Sequence, residues 1–386
     1  MNTRALLLLV SVFPSLISST VQAISLPLPV RVIHQFSLPT YLNSIFVRPN
    51  GDIYVTTVWP NASIYCISGA NTDMPTASLI HTFDEINAAT SIVETEPDVL
   101  AFVGGKQSSL GMGIPGTFSV WELDLRPQAK GAGAPIIQEL VRIPEGGLLA
   151  GIEALPGSRT TVLVSDSTMG LVWRVDTRRR RYELAIKDAE TMHFPPWAVT
   201  PFGINGLHIH NGYLYWSNSY LASVYRIAIS KEGYVAPGAK GELVKRIQAI
   251  YLDTFCLGPR DNDTIWGATD ADNRLVAITP DGTATFVAGA PDEMTLAGSV
   301  APGFGTLPGD TNTLYIATSG AMVFPVNGTI VEGGKVVAVD TSGFLAADDE
   351  TRKQVRPTAL SYDASPGSWT DYILQLPLEY FSLLFQ

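Results

Sequence analysis

The sequence predicts an all-β fold, a six-bladed β-propeller, on three observations. A phrase of strand, turn and strand recurs about six times down the chain. The copies follow one another at intervals of roughly 45–55 residues, a period that suits the blades of a propeller. Each copy runs on into a third strand closed by a small or acidic residue, so each is a meander that can form one blade.

The copies can be taken in chain order. The first is Asn43–Val58, NSIFVRPNGDIYVTTV, where Pro49-Asn50-Gly51 turns one alternating run into the next. The second, Thr90–Gly105, continues to FSVWELD at Phe118–Asp124. The third, Gly151–Asp176, carries all three strands without a break, as do the fourth, Gly203–Ile227, and the fifth, Asp253–Ile278. The sixth, Phe304–Gly320, continues to GKVVAVD at Gly334–Asp340. Together they assign residues 30–345 to one closed domain. The segment 346–386 loses the pattern: a polar stretch leads to an apolar end, LQLPLEYFSLLFQ, which is too short to span a bilayer and is broken by Pro377.

Of the 386 residues, 46% are hydrophobic and 16% charged, ample for a large core and unlike a disordered chain. The net charge of −11 argues against nucleic-acid binding through the overall field. Residues 1–23 are expected to be a secretory signal: Arg4 is the positive n-region, Ala5–Ile17 the apolar stretch and Val21-Gln22-Ala23 the cleavage site. Its removal takes Arg4 and gives −11 − 1 = −12. That leader places the protein in the secretory pathway or outside the cell, without stable membrane insertion. Three sequons, at Asn61, Asn262 and Asn327, agree with passage through a glycosylating compartment. The two cysteines, Cys66 and Cys256, suit either one disulfide or two small buried thiols; they fall on blades one and five, which are not neighbours in a ring of six.

No nucleophile elbow, phosphate loop, HExxH or CxxC occurs. Arg178–Arg181, just past the strand end at Asp176, reads as a solvated hairpin. His208 and His210 alternate on one strand face and suit packing or turn bonding, as Asp166 and Asp176 suit turns. In a propeller the starts of the inner strands converge on one channel mouth, bringing together side chains from blades far apart in sequence. The repeat alignment puts Asn43, Thr90-Ser91, Ala150-Gly151, Asn205, Asp253 and Phe304-Gly305 at those starts.

At these positions the chain resembles the senescence-marker-protein/gluconolactonase family of six-bladed propellers. It is most similar to the fungal secreted branch that includes hetero-Diels–Alderases of tropolone sesquiterpenoid pathways. The phrases that carry the resemblance are EPDV (Glu96–Val99), VWRVD (Val172–Asp176), GINGL (Gly203–Leu207) and PDG (Pro280–Gly282). Family members that hydrolyse lactones hold a divalent metal with a Glu on blade one, an Asn on blade three, an Asn on blade four and an Asp on blade five. Carried over by position, the last two fall on Asn205 and Asp253, whereas Asn43 and Ala150 replace the first two. A hard cation prefers several oxygens and more than one carboxylate. The resemblance therefore implies no resident metal and no other cofactor here, even with Glu153 three residues beyond Ala150.

Three activities stay open for this mouth. The first is a metal-independent pericyclase joining a quinone methide to a terpene alkene; it needs no nucleophile, only two reactants held in geometry and a polarised carbonyl. Asn43, Asn205 and Asp253 would then be the catalytic set. Hydrophobic small-molecule substrates would lie against His193, Trp197, Trp216 and Phe304, among aromatics that also include Phe202, Phe255 and Trp266. The second is a metal-dependent lactonase or esterase, and the third a non-catalytic binding propeller.

Overall fold

The computed structural model describes residues 24–347 and Arg352. The leader, and nearly all of the segment after 345, lie outside the described residues. Six four-stranded antiparallel sheets make the ring. Their inner strands are Tyr41–Val47, Ala88–Glu96, Leu149–Ala154, Ile204–His210, Phe255–Leu257 and Ser299–Phe304.

Each blade has one more strand than the repeat phrase suggested. The outer strands, such as Thr76–Thr82 and Arg181–Lys187, are largely exposed and polar, so they lack the apolar alternation that marked the inner three. The outer strand of the sixth blade comes from the other end of the domain: Val30–Gln35 pairs antiparallel with Lys335–Asp340, Val30 opposite Val339. This pairing closes the ring and covers an edge that would otherwise be open.

The core is divided into layers between neighbouring blades. Blades one and two bury Ile64, Phe102 and Trp121 between them. Leu163, Ile204 and Trp216 lie between three and four, and Trp266, Leu275 and Ile316 between five and six. Side chains alternate along each strand, so Tyr215 faces blade five while its neighbour Trp216 faces blade three. Each buried large side chain contributes about 1.5–3 kcal/mol. Cys66 and Cys256 are both free, buried thiols in different layers. Arg178–Arg181 forms an exposed hairpin in which Asp176 accepts from Arg179. Among the described residues no helix is long and apolar enough to cross a membrane.

Candidate active site

The inner strands are irregular where they begin. Register breaks fall between Leu42 and Ser44, Ala89 and Ser91, Leu149 and Ile152, and Ile204 and Leu207. Asn43, Thr90, Ala150 and Asn205 thus sit on bulges, which lift a residue out of the ladder and re-aim its side chain. Asp253 lies just before the fifth inner strand. All five residues line one cavity at the channel mouth.

Neighbouring blades are tied together at these bulges. Asn43 Nδ2 donates to the Thr90 carbonyl at 2.7 Å, and Thr90 Oγ1 to that of Leu149 at 2.8 Å. Ser165 Oγ receives the Gly151 N–H and donates to the Asn205 carbonyl at 2.6 Å. Ser217 repeats this one blade on, receiving from Gly206 and donating to the Asp253 carbonyl at 2.7 Å. The bulge at Gly151 must be glycine, since a Cβ there would stand 2.5 Å from the Asn205 carbonyl oxygen. With both backbones fixed, Asn205 Nδ2 reaches Asp253 Oδ1 at 2.6 Å and Ser219 Oγ at 3.1 Å.

A second carboxylate completes the floor. Asp270, absent from the candidates read from the sequence, lines the same cavity and accepts from Ser319 Oγ at 3.1 Å. It stands at the end of the second strand of blade five, three residues after Gly267, which pairs with Phe255. Ser219 stands three residues after Trp216, the partner of Leu207, and so occupies the same repeat position. Comparing Ser165-Asp166-Ser167, Ser217-Asn218-Ser219 and Ala268-Thr269-Asp270 would have exposed the acid.

Burial pushes Asp253 well above the ordinary carboxyl value, Asp270 adds to the shift, and the Asn205 amide opposes it. Burial likewise pushes Asp270 up to about 7, helped by Asp272 and opposed by Ser319. Tyr41 and Tyr251, also on the cavity wall, are held far above the usual phenol range, first by burial and then by these carboxylates. Both hydroxyls therefore keep their protons and remain donors. The Arg274 guanidinium, four residues on from Asp270, is engaged by Asp272 at 3.1 Å.

Above this floor the walls are apolar. Leu110 and Met112 come from a hairpin inserted in blade two, Val199 and Phe202 from the connection between blades three and four, and Val323 and Phe324 from blade six. The cavity has a volume of about 120 Å³, similar to a pocket that holds a single benzene ring, and it opens to solvent at the channel mouth.

The four residues expected to contact substrate lie elsewhere. Trp216 is fully buried between blades, stacked on Tyr225, with Nε1 donating to the Thr191 carbonyl. Phe304 ends the sixth inner strand and packs edge-on against Trp266, at the far end of that strand from the mouth. His193 is exposed beyond the short helix Ala189–Met192; its carbonyl accepts from Asn218 and its ring stacks on Phe194. Trp197 stands just outside the cavity, edge-on to its lining residue Tyr220 at 5.7 Å. Further along the channel Glu153, pushed up to about 8 by burial, accepts from the Ile209 N–H. Its Oε2 lies 3.5 Å from Nδ1 of His208, which burial holds down at about 4. Asn61 and Asn327 are exposed, and Asn262 is half-buried with Oδ1 accepting from Thr264.

The mouth holds two carboxylates, Asp253 and Asp270, where the sequence predicts one, but the rest of its donor set departs from that of a tightly held divalent ion. Asn205 turns its amide N–H toward Asp253, Asn43 directs its own to a backbone carbonyl, and Ala150 offers a methyl group. Among the described residues no three His, Cys, Asp or Glu side chains cluster as a metal site.

Fold and mouth together define a six-bladed β-propeller with a cavity at one end of its channel. At the level of fold the chain is similar to a luciferin-regenerating enzyme (TM-score 0.57, 12% identical, 82% of this chain and 96% of that one). It is also similar to the calcium-binding protein regucalcin of Agrobacterium tumefaciens strain C58 (TM-score 0.54, 11% identical, 81% and 94% covered). No family model matches. In sequence it is 31% identical over 345 residues to the "Putative hetero-Diels-Alderase asR5" of Sarocladium schorii, covering 82% of this chain and 85% of the relative. It is 30% identical over 312 residues to a Phoma sp. protein of the same description, with 76% and 87% covered. The chain belongs to the family of these two proteins.

Proposed function

We propose that the protein is a hetero-Diels–Alderase-type pericyclase, joining a quinone methide to a terpene alkene without a covalent intermediate. Its kinship with the Sarocladium and Phoma proteins supports the reaction class. The observation that carries the reading is the two-part cavity: protonated donors and amides on the floor, hydrocarbon on the walls, and no activated nucleophile among the lining residues.

In this reaction the four-atom unit C=C–C=O of the quinone methide meets the C=C of the alkene. One C–C and one C–O bond form, the remaining π bond moves to the centre of the old heterodiene, and nothing leaves. No proton changes hands. The protein's part is to align the partners and to polarise the carbonyl, which gains negative charge as the bonds form. Tyr41, Tyr251 and the protonated carboxyl of Asp253 are the donors for that oxygen. Asn205 fixes Asp253 in place.

The test supplies a quinone-methide precursor and a cyclic terpene, with and without protein, and follows product amount and stereochemistry. Acceleration with one dominant stereoisomer is expected. An unchanged product ratio for every such pair, together with rapid opening of simple lactones, would overturn the reading in favour of a hydrolase.

A further inference from the structure

One feature of the cavity belongs to no blade. Between the second and third strands of blade two the chain makes a separate hairpin, in which Gln107–Ser109 pairs with Met112–Gly113. It is firmly built. Asn87 clamps its base, donating from Nδ2 to the Gln107 carbonyl at 2.9 Å and accepting the Gln107 N–H at 2.7 Å. Gln107 Oε1 in turn accepts from the Gly111 N–H at the tip.

The tip reaches across the mouth. Gly111 has φ +78°, and a Cβ there would stand 2.7 Å from Phe202 Cε2, so the hairpin touches the loop that leads into blade four. Leu110 packs with Val323 of blade six against the layer between blades one and six. Hairpin, Phe202 and Val323 therefore form a continuous apolar wall facing the polar floor.

From this arrangement, and resting on the pericyclase reading above, we propose that the hairpin 107–113 builds the subsite for the hydrocarbon reactant, with Leu110 and Met112 selecting the alkene and the face it presents. A hydrocarbon over the floor would meet Asp253, Asp270, Asn205 and the tyrosines without adding a hydrogen bond to any of them, where a carbonyl oxygen could accept one. Against the wall the same molecule buries apolar surface on both sides. The oxygen-rich reactant has the opposite preference, and the two orders of binding are not equivalent.

The experiment uses the full chain, Leu110→Gln and Met112→Gln, with Val199→Gln, a lining residue outside the hairpin, as a comparison that should weaken terpene binding less. The hairpin stands outside the six sheets, and unchanged thermal melting verifies folding. First, binding of a cyclic terpene hydrocarbon alone is measured by calorimetry. The wild type should bind it and the hairpin variants should bind on the order of tenfold more weakly. Second, steady-state kinetics should show KM for the alkene rising while KM for the quinone methide holds, with a less uniform stereoisomer ratio. Equal terpene affinity in wild type and hairpin variants, or no terpene binding by the wild type, overturns the inference. So does a parallel rise of both Michaelis constants. If the wild type binds terpene through the hairpin but forms no cycloadduct with any partner, the subsite stands and the pericyclase reading falls.

Discussion

Asn205 donates from Nδ2 to Asp253 Oδ1 at 2.6 Å, across the seam between blades four and five and over 48 residues of sequence. The contact follows from the backbone. Ser165 and Ser217 hold the carbonyls of Asn205 and Asp253, so both side chains leave their strands at fixed points and meet over the channel. Burial first, and then the neighbouring Asp270, make the Asp253 carboxyl retain a proton more readily than an exposed one, with the Asn205 amide opposing them.

Removing either partner should be costly in two ways. Asn205→Ala leaves a buried Asp253 oxygen unpaired, a loss of about 1–3 kcal/mol in stability. Turnover should fall on the order of ten- to a thousandfold, because the donor to the reacting carbonyl is no longer positioned. Asp253→Asn should keep the fold and lose turnover to a similar extent. Chemical denaturation and single-turnover rates measure the two effects separately. Full activity in both variants would remove this pair from the mechanism.

Much of this site was legible because a propeller repeats. Once the phrases were aligned, Asn43, Ala150, Asn205 and Asp253 fell at equivalent starts, and the bulges bring them to one mouth. Asp270 was missed because it sits in the turn after a second strand, with φ +30°, where attention to strand starts does not reach. The inserted hairpin was missed because Gln107–Gly113 has no counterpart in the other repeats. Trp216 and Phe304 were misplaced for a third reason. Periodicity gives a residue's strand but not which of two inter-blade layers it enters, and large aromatics fill those layers best.

The carboxyl pair gives a pH dependence with a definite sign. Asp270 rises from an ordinary 3.8 to about 7, so the folded protein holds a proton that the unfolded chain releases. The resulting stabilisation is full below about pH 4 and lost as pH rises to about 7. Asp272 at about 6 and Glu153 at about 8 act in the same direction, whereas His208, held at about 4, loses stability as pH falls below 6.5. The difference between wild type and Asp270→Asn reports Asp270 together with its effect on Asp253. The variant should gain Tm relative to wild type between about pH 4 and 7, and the wild-type cycloaddition rate should decline above about pH 7. Parallel Tm curves would exclude a raised Asp270.

Metal content separates the hydrolase from the pericyclase. Purified protein should carry well under one equivalent of calcium, zinc or magnesium, and chelation should leave cycloaddition unchanged. The warrant is the donor set, in which two amides direct their N–H groups inward or to backbone and Ala150 contributes nothing. Stoichiometric metal lost together with activity would restore the lactonase.

Trp216→Ala tests the placement of that ring between blades. A fully buried indole replaced by a methyl should cost about 3–5 kcal/mol. Because Trp216 lies outside the cavity, the fraction that remains folded should keep its Michaelis constants. A selective loss of substrate affinity without loss of stability would instead put the ring in contact with substrate.

Ala150→Trp is the steric counterpart. Ala150 lies on the bulge of blade three, on the wall of the cavity near Thr90 and Asn205. Its side chain borders empty space rather than a packed layer, so a larger group can extend without forcing the blades apart. An indole would fill much of the cavity, whose volume is about 120 Å³, and on the pericyclase reading would take the space one reactant needs. Melting temperature should therefore change little, while turnover falls at least as far as in Asn205→Ala, since no alignment survives when one reactant cannot enter. Ala150→Ser, which adds a single oxygen, should remain active and serves as the control. Wild-type rates and stereochemistry in Ala150→Trp would show that the chemistry takes place away from this mouth.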